Sequence, residues 1–283
     1  MDNEFKRTAQ VDKFWAEFSV EPVQLALPSG VGYTLRAYRM SDEVPEFERE
    51  AEETEEGSAD GGLVIRVDEG EELPAGRRKV IKSEDKAEDL GEELEEELDE
   101  DADASDEDSD EDEAEEAKVP EAEEIPVFLS RRGKLLLFRS PEGLADFVSS
   151  DAAHDLTWLP KWEKLAGSMK ADRVAPADDD AYELDLVVEN LRGGHDAWDA
   201  ELIISAGEIA RDLGHALKLE AVQAAMAPGS PLDDLDEALR KTAEGGVGGF
   251  FAKRKAKKIG AEQAALAWRT IIGKISAVTD WRD

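Results

Sequence analysis

The chain has 283 residues, 70 acidic against 34 basic, a formal charge of −36 at pH 7 and no cysteine. The missing thiols exclude disulfides, thiol catalysis and cysteine-ligated metals, and a polyanion of this size repels nucleic acid and anionic lipid while attracting basic partners. No apolar run approaches the ~20 residues of a membrane-crossing helix, and the first residues lack the apolar core of a signal peptide, so a membrane role is not expected and the expected location is cytoplasmic.

In chain order, Phe5, Val11, Phe14, Trp15 and Phe18 mark a short amphipathic helix whose aromatics pack on a sheet. Residues 22–39 predict a β-hairpin. Val23, Leu25 and Leu27 alternate before the turn residues Pro28, Ser29 and Gly30. Val31, Tyr33, Leu35 and Ala37 alternate on the return, with Thr34, Arg36 and Tyr38 on the other face. These 39 residues form the first part of an α+β domain.

Residues 40–124 read as an acidic, largely disordered insert with a short strand at 63–67. Its second half, 88–124, holds 23 acidic residues and one basic residue, Lys118, in 37 positions. Such a run buries too little apolar surface to offset its ordering entropy. The rest of the chain is only mildly acidic, at −9 over 1–87 and −5 over 125–283.

Order is expected to resume over 125–170, the second part of the α+β domain. Ile125 to Phe138 predicts a second hairpin with a basic tip, Arg131, Arg132 and Lys134. A helix follows with Ser140 as N-cap and Pro141 at its first position. The two hairpins are expected to share one antiparallel sheet across the insert. Trp158 and Trp162 read either as a packing joint or as an aromatic contact surface.

A linker is expected at 171–180 and a helical domain, four helices packed as a bundle, at 181–283. Gly193-Gly194 and the run Gly245 to Gly249 break its helices; neither has the pattern of a phosphate loop. After the second break come Phe250 and Phe251, then Lys253, Arg254, Lys255, Lys257 and Lys258, five cations in six positions. This cluster is a candidate site for a polyanion, with the Arg131, Arg132 and Lys134 tip as a second; the two phenylalanines are candidate contact residues. A plain solvated helix start is the alternative. The three histidines, His154, His195 and His215, have no metal-ligand spacing, and no catalytic motif is present, so no cofactor or catalytic residue is assigned.

The opening Phe14-Trp15-Ala16-Glu17-Phe18 and the block Phe128 to Phe138, in an acidic cysteine-free chain, resemble an actinobacterial family labelled "primosomal protein". The resemblance implies a replication-associated role and brings no mechanistic motif. The expected function is therefore a non-enzymatic interaction or adaptor protein whose acidic tract binds or screens a basic protein partner. The alternatives are a factor that binds nucleic acid weakly through 253–258, and an enzyme with an unrecognised site.

Overall fold

The computed structural model describes residues 6–45, 122–244 and 260–283. The expected disordered insert, apart from its two ends, lies outside the described residues, as do the strand at 63–67 and the Phe250 to Lys258 cluster. Met1–Glu52 and Pro120–Asp283 belong to one unit, and the description below concerns that unit.

Helix α1 (Ala9–Phe18) starts at Thr8, whose side chain accepts a hydrogen bond from the Val11 amide, and ends at Ser19 in the left-handed region. Its buried face is Val11, Trp15 and Phe18, at the spacing an amphipathic helix requires. Strands β1 (Glu21–Leu27) and β2 (Gly30–Met40) form the expected hairpin. A two-residue turn pairs Leu27 with Gly30, so Val23 pairs with Thr34 and Glu21 with Arg36. Directly paired residues share a sheet face. Val23, Leu25 and Leu27 therefore lie on the face of Thr34 and Arg36, while Leu35 and Ala37 lie on the opposite face.

The next strands are β3 (Glu124–Phe128), β4 (Ser130–Arg131) and β5 (Lys134–Phe138). β3 pairs antiparallel with β2, from Met40↔Glu124 to Arg36↔Phe128, so the two halves of the α+β region do share one sheet. The second hairpin differs in detail from expectation. Its tight pair is β4 with β5, closed by Arg132 and Gly133, both at positive φ, while β3 pairs with β2. β6 (Ala181–Glu183) runs parallel to β1, and β7 (Thr279–Arg282) runs parallel to β5. The strand path is β4-β5-β2-β1-β6, with β3 on β2 and β7 on β5.

Helices cover both faces. Against the Leu35 face pack α1, α2 (Pro141–Val148) and α3 (Trp162–Ser168), around Trp15, Leu136, Phe138, Leu144 and Leu165. Ser140 caps α2 as expected, accepting from the Gly143 amide at 3.0 Å. The Val23 face is covered by α4 (Leu184–Arg192), α5 (Ala200–Ala216), α6 (Glu220–Ala225), α7 (Pro231–Glu244) and α8 (Ala261–Ala277). Leu25 and Leu27 lie in the same core as Leu184, Val187, Ile209, Leu213, Trp268 and Ile272. The segment 181–283 thus adds strands β6 and β7 and a helical layer to the sheet, where the sequence suggested a bundle of its own. The physical reason is the apolar row on β1 and β5: each buried leucine there contributes ~1.5–3 kcal/mol only if something covers it. In place of the linker at 171–180, two 3₁₀ turns, Ala171–Arg173 and Asp178–Asp180, lead directly into β6.

Candidate functional site

The turn register of the hairpin has a costly consequence. It places Arg36 on the sheet face that the helices cover, and its side chain is only 7% exposed. A buried guanidinium requires compensating acceptors, and four elements supply them. Nη2 donates to Asp180 Oδ1 at 2.7 Å and to Glu21 Oε2 at 3.3 Å. Nη1 donates to the Tyr182 hydroxyl at 2.9 Å and to Asp212 Oδ2 at 3.3 Å. The Tyr38 hydroxyl donates to the same Asp212 oxygen at 2.6 Å. The guanidinium carbon lies 5.1 Å from the Tyr38 ring centre and 5.8 Å from that of Tyr182, within reach of cation–π attraction.

Each partner is positioned by its element. Glu21 is the direct cross-strand neighbour of Arg36. Asp180 ends the 3₁₀ turn before β6, and Tyr182 is on β6 itself. Asp212 projects from α5, whose Ile203, Ile209 and Leu213 are buried. Together they line an open cleft of about 610 Å³ that also includes Arg7, Asp179, Glu208 and Arg211.

Burial works against the Arg36 charge, but Tyr182, Tyr38 and Asp180 outweigh it and hold Arg36 cationic well above the ordinary range. Burial raises Asp180, reinforced by Glu21 and opposed by Arg36. Burial also raises Asp212, against the lowering effect of its bonds from Tyr38 and Arg36. Tyr38 is raised by burial and by its bond to Asp212. One cation is thus surrounded by three carboxylates, and the remaining two arginines of the cleft are engaged elsewhere. Arg7 binds Asp12 at 2.6 Å and the Ala175 carbonyl at 2.9 Å, and Arg211 pairs with Asp233 and Asp236, each at 3.3 Å. The cleft carries excess negative charge beside two tyrosine rings. Each of the three carboxylates gives one oxygen to Arg36.

The residues singled out from sequence fall elsewhere. Arg131, Arg132 and Lys134 are exposed at the β4–β5 tip, as expected for a basic tip, and Asp155 lies beside it, bonded to Ser130. Trp162 is buried in the core against His154, with ring centres 4.6 Å apart, which is the packing-joint reading. Trp158 is half-buried against the same core. Lys253, Arg254, Lys255, Lys257, Lys258, Phe250 and Phe251 lie outside the described residues. His195 packs on Trp198, and no group of acidic residues or histidines that could hold a metal ion occurs among the described residues. Arg36, Tyr38, Asp180, Tyr182 and Asp212 were not identified as a site from sequence. The available signal was an arginine flanked by Thr34 and Tyr38 on one strand face, which becomes a buried charge once helices cover that face.

Residues 118–276 match the family model of the SatS C-terminal domain. The chain belongs to the SatS C-terminal domain family. A solved crystal structure of the SatS C-terminal domain in complex with bromine superimposes with a TM-score of 0.56 at 19% identity, covering 95% of this chain and 97% of that chain. That likeness extends the shared fold across β1 and β2, beyond the matched family region. Among curated proteins none matches the chain. Among the described residues no helix is long and apolar enough to cross a membrane.

Proposed function

We propose that this member of the SatS C-terminal domain family is a non-enzymatic interaction protein of the cytoplasm that engages basic polypeptide partners. The observation that carries this reading is the Arg36 cleft, where three carboxylates surround one buried arginine and leave a net negative, tyrosine-lined opening. The acidic run at 88–124 adds a second negative element in the sequence. A surface of one sign speeds encounter with the opposite sign and rejects the same sign. A replication-associated role would place such a partner among the basic proteins that act on DNA.

Nucleic acid is the second reading, supported by the exposed Arg131, Arg132 and Lys134 tip. The test is fluorescence anisotropy of two labelled probes, a twelve-residue alternating Lys-Gly peptide and a short DNA duplex, titrated with the full chain at two salt concentrations. Binding of the peptide that weakens with salt, with little binding of the duplex, is the expected result. Preference for the duplex overturns the proposal and selects the second reading.

A further inference from the structure

The β4–β5 tip carries Arg131, Arg132 and Lys134, three exposed cations in four positions. No other four consecutive positions among the described residues hold as many exposed cations. Arg131 pairs with Lys134 across the two-residue turn of Arg132 and Gly133, so all three charges are confined to one tight turn. The tip is fixed to the fold on both sides. The Asp155 amide donates to the Ser130 carbonyl at 2.8 Å and the Leu135 amide to the Val278 carbonyl at 2.9 Å. The Ser130 hydroxyl donates to Asp155 Oδ2 at 2.9 Å. Burial raises the Asp155 carboxyl, opposed by that bond and by the charge of Arg131. One carboxylate therefore stands beside three cations, and the tip keeps a positive surplus in a chain of net charge −36.

The sequence places the opposite charge close by. Positions 106–116 hold nine acidic residues in eleven. Glu116 precedes Glu124, the first residue of β3, by eight positions, and Arg131 follows Glu124 by seven. Seven extended residues span at most about 23 Å, so the chain between Glu116 and Glu124 is long enough to bring the acidic run back to the tip. We infer that the β4–β5 tip is the docking place of the chain's own acidic run, with residues 106–116 laid against Arg131, Arg132 and Lys134. Exposed ion pairs are individually weak, but a segment joined to the fold this close to its target is present at about millimolar effective concentration. A duplex meets the same three cations only by approaching past a run of its own sign. The inference goes beyond the proposed function: it assigns an occupant to the tip and holds whether or not a basic partner binds. Its consequence is reciprocal. An outside polyanion reaches the tip by displacing the run, and a basic partner reaches this part of the run by displacing the tip.

The experiment uses the full chain. Because it has no cysteine, Ala114→Cys gives a unique attachment point for a nitroxide without changing a charge. Paramagnetic broadening is read at the backbone amides of 130–135 and, for comparison, at those of β6, at the far end of the strand path. At low salt the tip amides are expected to broaden and the β6 amides to stay sharp, with the difference fading as salt rises. Arg131→Gln/Arg132→Gln/Lys134→Gln is expected to abolish the effect, and Lys13→Gln/Lys170→Gln, which removes exposed cations elsewhere, to leave it. A second variant keeps the tip intact and changes the nine acids of 106–116 to Asn or Gln. It is expected to lose the broadening and to bind a short DNA duplex about fivefold or more tightly than the parent chain at low salt, a gain cancelled by the three tip changes. Broadening that ignores the tip changes, or that spares the tip and falls on the amides of 253–258, overturns the inference, as does unchanged duplex affinity of the second variant. A mixture of nitroxide-bearing chains with isotope-labelled chains lacking the nitroxide separates one molecule from two. Tip broadening as strong in that mixture as within a single chain overturns the inference and assigns the tip to the run of a second copy.

Discussion

Arg36 shows how a single residue can be both buried and charged at tolerable cost. Its four acceptors come from β1, the turn before β6, β6 and α5, so the ion cluster ties the helical layer to the sheet. Removing the cation alone leaves the buried Asp180 without its charge partner and Asp212 with only the Tyr38 hydroxyl. Arg36→Met is expected to lower stability by ~3–5 kcal/mol in urea titration, and Arg36→Met/Asp180→Asn/Asp212→Asn to recover a substantial part of that loss. A triple variant no more stable than the single one would show that the cluster is held by packing and not by charge. His154 makes a second prediction at this scale. It is buried between Phe147 and Trp162, its Nδ1 accepts from the Leu156 amide at 3.1 Å, and burial holds its pKa down at about 4. In the unfolded chain it titrates near 6.5. The folded value is depressed, so its contribution is complete above pH 6.5 and is lost as pH falls towards 4. Asp155, Asp180 and Asp212, all raised by burial, act in the opposite sense. The melting temperature of the parent chain minus that of His154→Asn should therefore decrease between pH 6.5 and 4. A flat difference would mean that the imidazole is protonated in the fold.

At the scale of elements, local signals and partner choice separate cleanly. Helix α1, the β1–β2 hairpin and the Ser140 cap of α2 were legible because each is fixed by neighbours in sequence: an apolar stripe, a two-residue turn, a hydroxyl before a proline. The three-residue β6 and four-residue β7 were not, because such short parallel strands owe their existence to β1 and β5, far away in the chain. The Arg36 site was missed for the same reason, since Asp180 and Asp212 lie 144 and 176 residues from Arg36. β7 also explains Gly32. A Cβ at that position would sit 2.8 Å from Trp281 Cζ3 and closer still to Leu137 Cγ. Gly32→Ala is expected to lower stability by ~1–3 kcal/mol through overpacking. Combining it with Leu137→Ala should cost less than the sum of the two single changes, as measured by chemical denaturation, because the clash and the cavity occupy the same space. Strict additivity would place the strain elsewhere.

At the scale of the whole molecule, the long excursion between β2 and β3 starts and ends at one point. Met40 pairs with Glu124, the Ser41 amide donates to the Glu123 carbonyl at 2.8 Å, and the Glu123 amide donates to the Ser41 hydroxyl at 3.2 Å. Two strands joined in this way need only a short connection. The charge of the acidic run predicts that it stays outside the core, and almost all of it lies outside the described residues; nothing in it signals that its flanks are adjacent strands, which follows from the β2–β3 register. Deleting 46–121 and joining Pro45 to Ala122 should therefore leave the sheet, both helical layers and the Arg36 cluster intact. The connecting loop shortens roughly twelvefold, which on loop-closure entropy alone stabilises the fold by about 2 kcal/mol. The removed segment also carries most of the surplus negative charge, so the gain should be larger at low salt, where self-repulsion is least screened. The measurement is the urea midpoint of the deletion and parent chains at low and high salt, with the slope of each transition. An equal or higher midpoint is expected for the deletion, with the difference narrowing as salt rises. Loss of the cooperative transition would mean that residues of 46–121 supply part of the core, and that the register closing β2 on β3 is not self-sufficient.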